Sequence, residues 1–285
     1  MSRIAYVNGR YVPMRDATVH VEDRGYQFAD GVYEVCEVRG GRLIDERRHL
    51  DRLERSLGEL RIRMPLSRVA LGVILREVMA RNRVSYGIVY LQITRGVAKR
   101  DHAFPAGAIA PSLVVTARRL DKTRNEALAA KGIAVISVPE NRWGRVDIKT
   151  VGLLPNVLAR QAAIDQGARD AWFVDKAGFV TEASSANAWI VTDTGKLVTR
   201  HADHAILHGI TRTVVLDAVK EQNVAVEQRA FTLDEAYKAR EAFITSASQI
   251  VLPVVSINGR AIGDGKPGLV ATALREVFHR FAEAR

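Results

Sequence analysis

Lys149 is the residue with the most evident chemical potential. It lies in Asn141-Arg142-Trp143-Gly144-Arg145-Val146-Asp147-Ile148-Lys149-Thr150-Val151-Gly152-Leu153-Leu154-Pro155-Asn156, where Val146, Ile148 and Val151 flank it and an apolar helix follows. Lysine is seldom fully buried without a partner, so a half-buried one in this setting calls for a reason. Burial lowers an amine's pKa, which turns an inert ammonium into a nucleophile or base able to form a Schiff base. A lysine on a surface turn between strand and helix fits the same stretch equally well.

Three other segments hold polar groups at element ends. In Val180-Thr181-Glu182-Ala183-Ser184-Ser185-Ala186-Asn187-Ala188-Trp189-Ile190-Val191, Glu182 ends a strand and precedes small polar residues. A carboxylate there can keep a proton on a heterocyclic nitrogen, because a neighbouring negative charge favours the cation; the same residues also make an ordinary turn. His208-Gly209-Ile210-Thr211-Arg212-Thr213 stands just before an apolar helix. A helix start of this kind offers free N–H groups and a hydroxyl where the dipole favours an anion, or simply a threonine N-cap. Thr245-Ser246-Ala247-Ser248, a small-residue turn between two strands, can add N–H groups as an anion nest.

The elements that must position these residues follow from periodicity. Ile4 to Val7 and Arg10 to Pro13 read as a hairpin across Asn8-Gly9. Gly31 to Val38 is a strand turned by Gly40-Gly41, with Val32, Glu34, Cys36 and Val38 on one face and Tyr33, Val35 and Glu37 on the other. Leu50, Leu53, Leu57 and Leu60 mark an amphipathic helix over 47–61; Ser67 caps a second, whose expected buried stripe is Val69, Val73, Ile74 and Val78. A strand over 87–94 leads into the loop 95–105, and Ser112 to Ala117 is strand again. Thr123-Arg124-Asn125-Glu126 reads as a capping box opening a helix, which places a domain boundary at 119–124.

The second half alternates strand and helix. It has strands at 132–137, 171–174, 179–181, 188–192, 196–199, 224–228, 242–245 and 251–257. Helices are expected at 154–166, 211–222, 232–239 and from about Gly268. The whole is a two-domain α+β or α/β chain: a smaller N-terminal α/β domain over 1–118, a linker over 119–124 and a C-terminal domain over 125–285.

Composition narrows the function. No apolar run approaches the ~20 residues of a membrane helix, and no signal-peptide core opens the sequence. The single cysteine, Cys36, excludes an internal disulfide and argues against a thiolate metal site, so no metal is expected and a reducing cytoplasm fits. The formal net charge of +10 raises nucleic acid as a partner, but the arginines are spread along the chain and aromatics are only 6% of residues. That pattern suits small anionic substrates and a phosphate-bearing cofactor better than a nucleic-acid surface.

Together with Arg52 in His49-Leu50-Asp51-Arg52-Leu53, the four segments resemble the fold-type IV pyridoxal-phosphate enzymes. The resemblance runs from Tyr6-Val7-Asn8-Gly9 to Ile257-Asn258-Gly259. It implies a C-terminal pseudo-barrel domain that binds pyridoxal 5'-phosphate, with Lys149 as the Schiff-base lysine and Glu182 as partner of the pyridinium nitrogen. Arg52, Ile210, Thr211, Ser246 and Ala247 would hold the phosphate, Ala247 only through its N–H where some relatives carry threonine. Gly31-Val32-Tyr33-Glu34 and Arg95-Gly96…Arg100-Asp101-His102 resemble the D-amino-acid aminotransferase subgroup. By that likeness Tyr33, with Arg100 and His102 reaching from the partner subunit of a homodimer, would bind the substrate α-carboxylate.

The implied activity is transamination between a D-amino acid such as D-alanine or D-glutamate and a 2-oxo acid such as 2-oxoglutarate or pyruvate. A branched-chain L-amino-acid aminotransferase ranks second, since its arginine- and glycine-rich loop is not found, and an aminodeoxychorismate lyase of the same fold is a further alternative. A non-catalytic basic binding protein would explain the charge but not the pairing of Lys149 with Glu182.

Overall fold

The computed structural model describes residues 3–221 and 225–284. They divide into two compact units. The first holds the described residues of Met1–Asp121, Ile148–Gly152 and Glu283–Arg285; the second holds those of Lys122–Asp147 and Leu153–Ala282.

In the first unit, β1 (Ile4–Val7) and β2 (Arg10–Pro13) form the expected hairpin. Asn8 and Gly9 both take positive φ, 45° and 92°, as a primed two-residue turn requires. Next come α1 (Arg24–Phe28), β3 (Gly31–Arg39), β4 (Arg42–Leu43), α2 (Glu46–Glu59), α3 (Arg68–Arg81), β5 (Tyr86–Thr94) and β6 (Ser112–Arg119). The six strands make one antiparallel sheet in the order β2-β1-β6-β5-β3-β4. The β3 face of Val32, Glu34, Cys36 and Val38 is wholly buried. Its apolar members share a core with Leu50, Leu53 and Leu57 of α2, so two charged residues that face this core, Glu34 and Arg52, must find each other.

Two expectations need correction here. Ser67 does cap α3, accepting from the Ala70 N–H at 3.2 Å, but Val69 and Val73 are 79% and 62% exposed. Leu71, Ile74, Leu75, Val78 and Met79 form the buried stripe instead. Both sets keep helical spacing, and the set with the greater apolar area wins the core. The strand expected over Ser112 to Ala117 runs on into the expected linker: β6 continues to Arg119, which pairs with Gly87.

The second unit contains α4 (Lys122–Lys131), β7 (Ile133–Pro139), α5 (Leu154–Asp165), β8 (Asp170–Val174), β9 (Phe179–Ala183), β10 (Asn187–Val191), β11 (Leu197–Thr199) and α6 (Ile210–Glu221). Then follow β12 (Val226–Gln228), β13 (Phe231–Thr232), α7 (Leu233–Lys238), β14 (Glu241–Ser246), β15 (Ile250–Ile257), β16 (Arg260–Ala261) and α8 (Leu269–Phe281). Helix α4 already begins at Lys122, so Thr123 lies in its first turn rather than capping it. Helix α7 opens on a capping box of Thr232 and Glu235, with both reciprocal bonds. Gln222 and Val224, the expected end of one helix and start of one strand, lie outside the described residues.

These strands build a ten-stranded, curled sheet that makes a half-barrel. Its path is β12-β11-β10-β14-β15-β7-β8-β9-β13, with β16 paired to β15. The parallel pairs are β15–β7, β7–β8 and β11–β12, the last two joined by crossovers that carry α5 and α6, and the other pairs are antiparallel.

Candidate active site

Lys149 belongs to the first unit, although the sequence reading keeps it with the second. Its segment is laid onto β3: the Tyr33 N–H donates to the Lys149 carbonyl at 3.0 Å, and the Val151 N–H donates to the Gly31 carbonyl at 3.1 Å. Thr150 bridges Val32 in antiparallel register, and the Lys149 N–H reaches the Ser56 hydroxyl of α2 at 3.4 Å. Ile148 just before it is buried in the first core. The lysine is thus fixed by backbone on both sides. Its half-buried side chain extends until Nζ lies 4.1 Å from the centre of the Tyr33 ring. Among the described residues no carboxylate forms an ion pair with it. Tyr33 in turn stacks on Tyr90, ring centres 5.5 Å apart.

Arg52 and Glu34 meet across the same core. Arg52 donates from Nε to Glu34 Oε1 at 2.7 Å and from Nη2 to Oε2 at 2.8 Å, while His49 Nδ1 lies 2.7 Å from Oε2. Burial alone raises the Glu34 carboxyl, but the Arg52 charge and the hydrogen bonds overcome it and hold Glu34 far below the usual carboxylate range. A guanidinium has five N–H donors in a rigid fork, more than one carboxylate can take. Glu34 therefore fixes the orientation of the Arg52 guanidinium.

Arg100 and His102 are exposed on the loop after β5 and gather around one ring. The Arg100 guanidinium lies 4.6 Å from the centre of Phe28, and the His102 ring centre is 5.5 Å from it. Among the described residues no hydrogen bond, ion pair or ring contact joins either of them to Tyr33.

In the second unit Glu182 is buried at the end of β9, and what surrounds it was not legible in the sequence. Arg142 donates from Nη1 to Glu182 Oε1. The same guanidinium chelates Glu140, from Nε at 2.9 Å and from Nη2 at 2.5 Å, and lies 4.5 Å from the centre of the Phe173 ring. Two carboxylates share one cation, so the cluster keeps a formal surplus of negative charge. On its other side Glu182 Oε2 accepts from Asn187 Nδ2 at 2.8 Å and from the Leu207 N–H at 3.1 Å. Burial pushes the Glu182 carboxyl up, and the pull of Arg142 only partly offsets it. A carboxylate so placed has reason to hold a further proton-bearing group.

Asn187 also links Glu182 to the start of α6. Its Nδ2 donates to the Leu207 carbonyl at 2.9 Å, and its Oδ1 would lie 2.0 Å from a Cβ on Gly209. Only glycine admits this approach. The first-turn N–H groups of α6, from Ile210 onward, have no intrahelical acceptor, and Thr211 is buried among them. At the end of β14, the Trp189 indole N–H donates to Thr245 Oγ1 at 2.9 Å, ahead of Ser246 and Ala247. The turn closes on Ile250, a β-branched residue at φ +61°, a conformation that is costly and concentrates at functional turns. Taken by itself, each unit offers groups of the kind that pyridoxal 5'-phosphate requires: the first an amine with no acidic partner among the described residues, the second a buried carboxylate and a helix start with free N–H groups. The donor set fits that group.

Signals for Arg142, Asn187 and Glu34 existed only in part. Glu34 sits on a face otherwise apolar. Arg142 and Glu182 are 40 residues apart, and nothing in their spacing pairs them.

Comparison with known proteins bears on the chain as a whole. The chain is 39% identical to the D-alanine aminotransferase of Listeria innocua over 273 residues, 95% of this chain and 93% of that one. It is 34% identical to the D-alanine aminotransferase of Staphylococcus haemolyticus over 280 residues, 98% of each. Among solved structures, the Escherichia coli branched-chain amino acid aminotransferase superposes with a TM-score of 0.89 at 23% identity, covering 98% of this chain and 94% of that one, a likeness of fold. A second branched-chain amino acid aminotransferase, from T.th. and solved with pyridoxamine 5'-phosphate, superposes at 0.88 and 27% identity, with the same coverage. The family model for amino-transferase class IV matches residues 31–257, a span that holds Tyr33, Arg52, Lys149, Glu182 and the turns at Ile210–Thr211 and Ser246–Ala247, and the chain belongs to that family.

Proposed function

We propose that this protein is a pyridoxal-phosphate-dependent D-amino-acid aminotransferase, exchanging the amino group of a D-amino acid such as D-alanine or D-glutamate with 2-oxoglutarate or pyruvate. The observation that carries the reading is Lys149: a half-buried amine, fixed by backbone on both sides and without an acidic partner among the described residues. The names of the relatives that match nearly the whole chain support the D-amino acid as substrate. So do Tyr33 beside the lysine and the Arg100/His102 loop.

When bound, the cofactor supplies an electron sink for the charge that develops at the substrate Cα. Lys149 would hold it, and the lysine amine would move the proton at the substrate Cα as base and then acid. Glu182, backed by the cluster it forms with Arg142 and Glu140, keeps the ring nitrogen protonated. Arg52, the N–H groups of Ile210 and Thr211, Ser246 and the N–H of Ala247 hold the phosphate, Arg52 being oriented by Glu34. Tyr33 binds the substrate carboxylate together with Arg100 and His102, the latter two acting on the partner's site in a homodimer. The chemistry suits a cytoplasmic enzyme, and among the described residues no helix is long and apolar enough to cross a membrane.

A panel of D- and L-amino donors with 2-oxoglutarate tests the reading, with absorbance following the lysine-bound cofactor. Turnover of D-alanine and loss of the visible band in Lys149→Ala are expected. Activity with L-leucine and none with D-alanine would shift the protein to the branched-chain class. Release of pyruvate from aminodeoxychorismate would make it a lyase.

A further inference from the structure

Arg24 is almost completely buried, at 3% exposure, and none of the roles above uses it. It opens α1, a five-residue helix whose N-cap, Asp23, accepts from the Gly25 N–H at 2.8 Å and from Thr94 Oγ1 at 3.0 Å. The Arg24 N–H donates to the Gly96 carbonyl at 2.9 Å, and Asp23 bridges Val97, so α1 is stitched to the base of the 95–105 loop. The side chain then reaches the other end of that loop. Nη1 donates to the Asp101 carbonyl at 2.6 Å and Nη2 to the His102 carbonyl at 3.5 Å, while Nε is held by Asp30 Oδ2 at 2.8 Å. Asp30 is itself clamped by Arg95 at 2.7 and 3.0 Å.

The last residue of α1 completes the arrangement. Phe28 has the Arg24 guanidinium 4.8 Å from its ring centre and that of Arg100 at 4.6 Å, with the His102 ring at 5.5 Å. One short helix therefore holds the loop by its backbone through Arg24 and by its functional side chains through Phe28. Lysine could not replace Arg24, because a point ammonium cannot span a carboxylate and two successive carbonyls as a planar fork does.

We propose that Arg24 is a positioning residue for substrate-carboxylate recognition: it fixes the loop that presents Arg100 and His102, and Phe28 is the shelf on which those two side chains rest. The proposal rests on the reading that Arg100 and His102 bind the carboxylate.

The test uses the cofactor-loaded enzyme with D-alanine as substrate and propionate, a carboxylate that cannot be transaminated, as competitive inhibitor. Arg24→Lys is expected to raise KM for D-alanine and the propionate inhibition constant together, by about tenfold or more, with kcat changed far less. Phe28→Leu, which leaves the Arg24–Asp30 pair intact, should do the same to a smaller degree, and it carries the test should Arg24→Lys fold poorly. Placed in an Arg100→Ala/His102→Ala background, each change should lose its effect on both constants, because a positioning residue acts only through what it positions. Unchanged constants in the single variants overturn the proposal, as does an undiminished effect in the background lacking Arg100 and His102. If that background alone leaves KM and the propionate constant untouched, the carboxylate reading itself falls, and the role of Arg24 with it.

Discussion

Arg142 serves two carboxylates at once, buried Glu182 and half-buried Glu140, and that sharing makes its neighbours unequal. Replacing Glu182 with Gln leaves the bidentate Arg142–Glu140 pair in place, so the fold should lose little. On the proposed role of Glu182, activity should fall by about 10²-fold or more, because the ring nitrogen would lose its anionic partner. Arg142→Met instead strands Glu140 and Glu182 without a cation and should cost about 3–5 kcal/mol. Urea unfolding of the two variants beside steady-state rates separates the effects; equal stability losses would contradict the shared-cation picture. Glu34 carries a pH signature. Its folded pKa lies below the unfolded value of about 4.3, so its contribution is fully present above that value and is lost as pH falls below it. The stability gap between wild type and Glu34→Gln should therefore be constant near neutrality and shrink below about pH 4.

At the level of elements, what could be read beforehand was what depends on local periodicity or caps. Helix α2, the Thr232–Glu235 capping box and the Asn8-Gly9 hairpin were all legible because their determinants lie within a few residues. Helix α1 was not, since five residues give no periodic signal and its reason to exist is the loop it clamps. The α3 stripe was misassigned because two apolar sets share helical spacing and only tertiary packing chooses between them. Lys149, Glu182 and the turns at Ile210–Thr211 and Ser246–Ala247 could be singled out as polar groups at element ends, whereas the pairings of Glu182 with Arg142 and Asn187, and of Arg52 with Glu34, arise only across the fold. The meeting of Gly209 with Asn187 shows what such a pairing demands. Gly209→Ala would drive a Cβ into Asn187 Oδ1, an atom whose side chain is tied to both Glu182 and Leu207. A loss of about 1–3 kcal/mol in stability is expected, together with weaker retention of the cofactor, read by thermal denaturation and by dialysis of the loaded enzyme. Thr232→Ala, far from the proposed site residues in sequence, should cost about 1 kcal/mol and leave activity unchanged.

For the whole molecule, the proposed action of Arg100 and His102 on a partner's site requires a homodimer. Sedimentation equilibrium at micromolar concentration should show a species of twice the 31.5 kDa chain mass. Mixing an inactive Lys149→Ala protein with an inactive Arg100→Ala/His102→Ala protein should restore part of the activity, because one hybrid site then has all its residues. Failure to complement would mean that the loop serves its own chain.

The route of the chain has one further consequence. The first unit is not finished when residue 121 is made. It receives residues 148–152 as a short strap along β3 and, at the end, Glu283, whose carbonyl accepts from the Asp45 N–H at 2.7 Å while its own N–H donates to Asp45 Oδ1 at 3.1 Å. During synthesis this unit must therefore wait: its sheet can form early, but the lysine arrives only after β7 has been translated, and the final clasp only after α8. The half of the protein that is translated first is the half that closes last.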